Sequence, residues 1–172
     1  DSPGYFLQHV RDLNGDGFSV TVPHKVTAAQ ELEHRDEAVI RIGSCNTAVW
    51  DREGGYWMGY NTDAAGFAAS LRSYVQLQGR SVERAVVIGA GGAARAVVFA
   101  LVREGIEPCI INRTPEKGEE LAAEYGIPAA GLDRKGLSLA AEYADLFVQT
   151  TSVGMEPDTD ADPWPEYRFT GK

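Results

Sequence analysis

Along the first 80 residues, apolar positions come in short groups broken by Gly, Pro and polar side chains. Residues 5–13 carry helical spacing, 18–22 read as a strand ending at Pro23, and 24–33 return to helical spacing with Pro23 just ahead. Residues 36–42 suggest a second short helix. Residues 46–50 and 56–60 are strand-like and are joined by the turn-rich Asp51-Arg52-Glu53-Gly54-Gly55, which predicts a hairpin. Helical periodicity then runs over 62–77 through Phe67, Leu71 and Tyr74, until Gly79-Arg80-Ser81 breaks it. The pattern changes there, and a domain boundary is placed between residues 80 and 81. Beyond it, near-continuous apolar strands alternate with helices: strand 84–88, helix 92–104, strand 108–112, helix 115–125, a weak segment at 129–132, a helix near 136–142 and strand 144–149. Thr114 is the expected N-cap of the fourth of these, with Pro115 at its first helical position. Such alternation predicts a parallel sheet covered on both faces. The expected fold class is therefore α/β: a mixed α/β part over 1–80, followed over 81–172 by a Rossmann-type domain with a mainly parallel sheet.

The first strand of the second part runs directly into Gly89-Ala90-Gly91-Gly92-Ala93-Ala94. That order suits a dinucleotide. Gly89 permits a tight turn, Gly91 lets the backbone approach a diphosphate, and the small Ala94 allows close helix–strand packing, while the helix N-terminus offers unpaired N–H groups. The next strand ends at Asn112-Arg113-Thr114. NAD sites usually place Asp or Glu there for the ribose 2′-hydroxyl; Arg113 is a cation suited to a 2′-phosphate, so the expected cofactor is NADP.

Composition sharpens this picture. A formal net charge of −9 argues against nucleic-acid binding, which relies on clustered Lys and Arg. An acidic chain that takes a polyanionic cofactor must place its cations locally, which draws attention to Arg95, Arg113 and Lys117. Cys45 and Cys109 match neither a metal pattern nor a disulfide framework, and Cys109 falls in an apolar strand where burial is expected. No stretch is long and apolar enough to span a bilayer and no signal peptide opens the chain, so a cytoplasmic, metal-free protein without membrane partners is expected. Neither end looks like a natural terminus, which leads to the expectation of a piece of a longer chain.

Three polar clusters mark the first part: Val20-Thr21-Val22-Pro23-His24-Lys25, Gly43-Ser44-Cys45-Asn46-Thr47 and Gly59-Tyr60-Asn61-Thr62-Asp63. Each sits where a strand meets a helix or turn, so their side chains can converge. An enzyme that moves hydride to or from an alcohol carbon must also move the hydroxyl proton. A lysine can do so with a carboxylate to orient it or share the proton. Lys25 and Asp63 form the candidate pair, although spacing alone favours ordinary charges at helix ends.

These clusters, taken with Gly-Ala-Gly-Gly-Ala-Ala, Asn-Arg-Thr and Thr150-Thr151-Ser152-Val153-Gly154-Met155 in the same order, resemble the shikimate dehydrogenase family. The resemblance covers residues 17–157 and implies that 1–80 is a partial α/β substrate domain and 81–172 a Rossmann-type NADP-binding domain. It implies reduction of 3-dehydroshikimate to shikimate with NADPH, a step of aromatic amino-acid biosynthesis. The wording of 17–25 and 150–155 particularly resembles forms fused to a 3-dehydroquinate dehydratase, which would precede this chain. Carried over by position, the resemblance makes Lys25 and Asp63 catalytic, and Thr21 and Asn46 ligands of substrate hydroxyls, with Asn61 a supporting contact. It places Gly89, Ala90, Gly91, Gly92 and Ala93 along the diphosphate, and Asn112, Arg113 and Thr114 around the 2′-phosphate. Lys117 makes a weaker contact there, and Thr150, Thr151 and Ser152 border the nicotinamide. His24 is read as structural, and Trp50, Trp57 and residues 56–60 as hairpin core and face. The family's Ser-x-Ser strand has no counterpart before Gly17, and its later glutamine-bearing helix none after Met155, so these residues alone are expected to lack full activity. Two rivals remain: an NAD-dependent quinate/shikimate dehydrogenase, and a non-catalytic dinucleotide-binding regulator, which would need neither Lys25 nor Asp63.

Overall fold

The computed structural model describes residues 9–12 and 14–168. The helix expected over 5–13 is helical at 9–12, and the rest of it lies outside the described residues. The chain forms two compact units: residues 1–74 with 91–100, and residues 75–90 with 101–172.

In the first unit, β1 (Gly17–Ser19) pairs antiparallel with β3 (Thr47–Asp51), and β3 pairs antiparallel with β4 (Tyr56–Tyr60). The hairpin forms as its sequence dictates. Asp51 Oδ1 accepts the Glu53 and Gly54 amides at 3.0 and 2.8 Å, closing the turn, and Gly55 takes φ +72°. A two-residue strand, β2 (His34–Arg35), adds in parallel to β4 and gives the order β1-β3-β4-β2. Sequence pattern does not reveal β2, because two residues carry no alternation; tertiary contacts hold it, including the His34 ring stacked on Tyr56 at 3.8 Å. The strand expected over 18–22 is three residues long and starts one residue earlier.

Helix α1 (Lys25–Glu31) and helix α2 (Glu37–Ile42) flank β2 in the chain. Asp36 caps α2 by accepting the Val39 amide at 2.7 Å, and Gly43 ends it in the left-handed conformation at φ +67°. Ala28, Ala29, Leu32, Val39, Cys45, Ala48 and Trp57 form the core against this sheet, with Phe18 and Trp50 edge-on to Trp57. Trp57 is thus hairpin core, as expected. A second cluster joins Ile42 to Ala64 and Ala68 of α3 (Asp63–Gln78) and Ala96 and Ala100 of α4 (Gly92–Arg103). Alanines four residues apart lie on one helix face, and their size permits close approach.

In the second unit, β5 (Arg84–Ile88), β6 (Glu107–Ile111), β7 (Ala129–Ala130) and β8 (Leu146–Gln149) form an all-parallel sheet of order β7-β6-β5-β8. Helices α5 (Pro115–Tyr125) and α6 (Arg134–Glu142) connect its later strands. Val86, Val87, Ile88, Ile110 and Ile111 are buried, which accounts for the near-continuous apolar strands. The strand order reverses between β5 and β8, the place where such sheets bind ligands at their carboxyl ends. Residues beyond 155 read as a polar, Pro-rich tail, yet Trp164 is 1% exposed and sits in the core with Val86, Cys109, Ile111 and Ala140. A single aromatic among Pro and Asp shows no periodicity, so nothing in the pattern flags it.

Candidate functional site

The three polar clusters of the first unit converge. Lys25, at the start of α1, and Asp63, at the start of α3, form an ion pair with Lys25 Nζ 2.7 Å from Asp63 Oδ2. Their side chains are 16% and 32% exposed, so the pair is shielded yet reachable from solvent. Asn46 completes it. Its Nδ2 donates to Asp63 Oδ1 at 2.7 Å and to Thr62 Oγ1 at 2.9 Å, while its Oδ1 accepts the Thr62 amide at 3.0 Å and the Thr47 hydroxyl at 3.1 Å. That uses the full bonding capacity of the Asn46 amide. A ligand hydroxyl reaching Asn46 would therefore replace one of these partners, and the rotatable hydroxyls of Thr47 and Thr62 are the easiest to displace.

Backbone ties hold the clusters together beneath these side chains. The Cys45 amide donates to the Lys25 carbonyl at 2.9 Å, the Asn46 amide to the Tyr60 carbonyl at 3.1 Å, and the Val20 amide to the Asn46 carbonyl at 2.7 Å. Asn61 is buried; its Nδ2 donates to the Ser44 carbonyl at 2.8 Å and its Oδ1 accepts the Ala64 amide at 3.2 Å. Both ends of its amide thus face inward partners. Thr21 is exposed, and its carbonyl accepts the His24 amide. His24, read from sequence as structural, is exposed at the N-cap of α1 and makes no side-chain cap bond.

The glycine-rich turn can be tested for its fit to a dinucleotide. Gly89 follows β5 at φ +118°, a region closed to L side chains, and a Cβ there would run into Thr150 Oγ1. At Gly91, a Cβ would meet nothing within 4 Å, so the backbone is open for close approach. Ala90 and Ala93 are half-buried and Ala94 is fully buried. Helix α4 begins at Gly92, and the first amides of a helix lack intrahelical partners. Bare backbone, positive φ and free N–H donors fit a diphosphate. Gly92 has a further constraint, because a Cβ there would lie 2.7 Å from Ser44 Oγ and 2.9 Å from Lys25 Cβ. Arg95, singled out as a candidate cofactor cation, donates from Nη1 to the Ile42 carbonyl at 3.0 Å and so binds the C-terminus of α2.

At the end of β6, Asn112 Nδ2 donates to the Thr114 carbonyl at 2.8 Å and shapes the loop. Thr114 is the N-cap of α5 with Pro115 just inside the helix, as expected, although its side chain makes no cap bond. Arg113 and Lys117 are exposed and form no hydrogen bond or ion pair with side chains of the described residues. Two exposed cations, one just ahead of α5 and one in its first turn, suit a dianionic group. After β8, the Thr150 hydroxyl donates to the Ile88 carbonyl at 2.7 Å, and Thr151 Oγ1 accepts the Val153 amide at 3.2 Å. Those two hydroxyls hold the loop, whereas Ser152 is exposed. Among the described residues no group of three or more His, Cys, Asp or Glu could hold a metal, and no helix is long and apolar enough to cross a membrane.

Sequence reasoning passed over Thr47, Thr62, Ser44 and Gln149. The last braces the 150–153 loop by donating to the Val153 carbonyl and accepting the Thr151 amide. Asn61, two residues ahead of Asp63, carried an unread signal: asparagine at a helix start is a capping residue.

Two family models match the chain: "Shikimate dehydrogenase substrate binding domain" over residues 1–48 and "Shikimate / quinate 5-dehydrogenase" over residues 73–155. An NADP(+) shikimate dehydrogenase of Shouchella clausii is 43% identical over 151 residues, covering 86% of this chain and 54% of the relative. Shikimate 5-dehydrogenase from Thermus thermophilus, solved with NADP(H) and shikimate, is 36% identical with a TM-score of 0.76, covering 95% of this chain and 57% of that one. Quinate dehydrogenase from Corynebacterium glutamicum, solved with NAD, is 26% identical with a TM-score of 0.73, covering 91% and 56%. The chain spans about half the length of the relatives it matches.

Proposed function

The chain belongs to the shikimate dehydrogenase family, and from that premise we propose that the whole protein is an NADP-dependent shikimate dehydrogenase that reversibly reduces 3-dehydroshikimate to shikimate. The observation that carries this reading is the Lys25–Asp63 ion pair with Asn46 on the second carboxylate oxygen. When bound, the nicotinamide supplies or accepts the hydride. Lys25 handles the proton: Nζ gives a proton to the carbonyl oxygen as reduction proceeds and takes it from the hydroxyl in the reverse direction. Asp63 orients the ammonium and balances its charge. Asn46, itself fixed by Thr62, keeps the carboxylate aimed. Thr21 and Asn46 hold substrate hydroxyls, Asn46 by exchanging a threonine partner.

Residues 89–93 would receive the diphosphate, Asn112, Arg113, Thr114 and Lys117 the 2′-phosphate, and Thr150, Thr151 and Ser152 would border the nicotinamide. Of the last three, Ser152 has the side chain most open to contact it. Arg113 and the lack of Asp or Glu at residues 112–115 favour NADP over the NAD-dependent quinate reading. A regulator without activity has no use for the shielded ion pair. Two free, buried cysteines suit a reducing compartment and support a cytoplasmic site of action. The likeness of residues 17–25 and 150–155 to fused forms supports a dehydratase domain upstream. The test is nicotinamide absorbance with the full-length protein, offering shikimate and quinate in turn, each with NADP⁺ or NAD⁺. Turnover of shikimate with NADP⁺ is expected to dominate; preference for quinate with NAD⁺ reverses the assignment.

A further inference from the structure

We propose that Asn61 is a positioning residue that fixes the Lys25–Asp63 pair by clamping the start of α3 to the Ser44 carbonyl, and that it does not bind substrate. This rests on the reading of Lys25 and Asp63 as the proton-handling pair. Asn61 is 6% exposed, and its amide bridges the backbone that follows α2 and the first turn of α3, beneath the Asn46 contacts to Thr62 and Asp63. Oδ1 takes the Ala64 amide, the residue next to Asp63, and so sets the first turn of α3. Nδ2 takes the Ser44 carbonyl, between the left-handed Gly43 and Cys45, whose amide is bonded to the Lys25 carbonyl.

One amide therefore links the backbone beside Asp63 to the backbone that carries Lys25. Ser44 is itself fully buried, with Oγ lacking a partner among the described residues and lying where a Cβ on Gly92 would collide, so solvent is not at hand to replace this bond. Replacing Asn61 leaves a buried carbonyl unsatisfied, and the local backbone must shift to solvate it. A shift of this kind misaligns the pair, and misplacement by about 1 Å can cost on the order of 10²-fold in rate.

Two variants separate the two bonds. Asn61→Ala removes both, whereas Asn61→Ser keeps an oxygen that can cap α3 but is too short to span to Ser44. The first readout uses this chain alone: the ¹⁵N NMR signal of the Lys25 ammonium, whose protons exchange slowly only while a carboxylate holds them. The second is kcat and KM for shikimate in the full-length protein. The expected result is loss of the ammonium signal in both variants, with kcat down about 10- to 100-fold and KM little changed. A rise in KM at unchanged kcat would make Asn61 a substrate ligand. A lowered melting temperature with the ammonium signal and kcat intact would make it structural only. Either result overturns the proposal. If the wild type does not turn over shikimate, the functional reading fails, but the ammonium signal still decides whether Asn61 positions the pair.

Discussion

Lys25 Nζ and Asp63 Oδ2 meet at 2.7 Å although 38 residues separate them in the chain. Each side chain stands at the first position of its own helix, α1 for Lys25 and α3 for Asp63. β3 and β4 pair in register, with Thr47 opposite Tyr60, which brings the ends of two polar clusters together, and the Cys45 amide ties the third through the Lys25 carbonyl. Asn46, just ahead of β3, then binds Asp63, just beyond β4.

Removing either member of this pair should slow turnover more than it weakens binding. In the full-length protein, Lys25→Ala is expected to lower kcat by roughly 10²–10⁴, the range for a lost general acid/base. Asp63→Asn preserves shape and the Asn46 contact region but removes the charge that orients Lys25, and should also lower kcat. NADP⁺ affinity, measured by titration, should change little in both. Wild-type kcat in both variants would return the non-catalytic regulator as the better reading.

Arg113 and Lys117 differ in geometry as well as position. The guanidinium can make paired bonds to a phosphate, whereas the ammonium acts as a point charge. Arg113→Ala is expected to weaken NADP⁺ by about 10- to 150-fold, corresponding to roughly 1.5–3 kcal/mol for a lost charge-assisted bond, with NAD⁺ barely affected. Lys117→Ala should show the same selectivity with a smaller loss. Equal weakening of both cofactors by Arg113→Ala would make the residue structural.

Much of this architecture is legible in the sequence where local chemistry and tertiary packing agree. The bounds of β5 and α5 follow from a buried Val-Val-Ile run and from Pro115 at the first helical turn, and both are found where expected. Gly89 is readable because its φ of +118° and the neighbouring Thr150 exclude a side chain, and Gly91 because the bare backbone after it opens a helix N-terminus. Legibility fails where long-range contacts decide. β2 has two residues and is held by β4, and Arg95 looks like a free cation until the end of α2 is placed against it. The inward amide of Asn61 and the saturation of Asn46 depend on partners 16 or 17 residues away, beyond the reach of any local pattern.

Cys109 should be chemically silent in the native state. Burial in β6 pushes its thiol from 9.0 up to about 12, because the thiolate loses its hydration there. A raised thiol pKa means that the folded state holds the proton more tightly than the unfolded one. The stabilisation is complete below the ordinary value of 9.0 and is lost as pH rises from there towards about 12. Iodoacetamide at neutral pH should label Cys109 only after denaturant is added, and the wild type should lose stability more steeply than Cys109→Ala above pH 9.0. Rapid labelling of folded protein, located by peptide mass, would contradict the buried strand position.

Trp164 offers the sharpest test of the second unit's core. Its ring lies 5.1 Å from Tyr167, which in turn lies 4.8 Å from Phe147 of β8, and its amide is anchored to Asp162 Oδ1 at 2.8 Å. Through this side chain, residues beyond the last strand close the face formed by Val86, Cys109 and Ile111. Trp164→Ala should cost about 3–5 kcal/mol, the usual range for a buried aromatic replaced by alanine, because the cavity cannot collapse fully. The indole Nε1 is buried without a hydrogen-bond partner, so part of the tryptophan's burial is offset by an unmet N–H. Trp164→Phe removes that donor while keeping an aromatic ring, and it should lose much less than the alanine variant. Urea unfolding of the three proteins, followed by far-ultraviolet circular dichroism, gives the order wild type, Phe, Ala in falling midpoint. An alanine variant with the wild-type midpoint would show that Trp164 contributes nothing to the core.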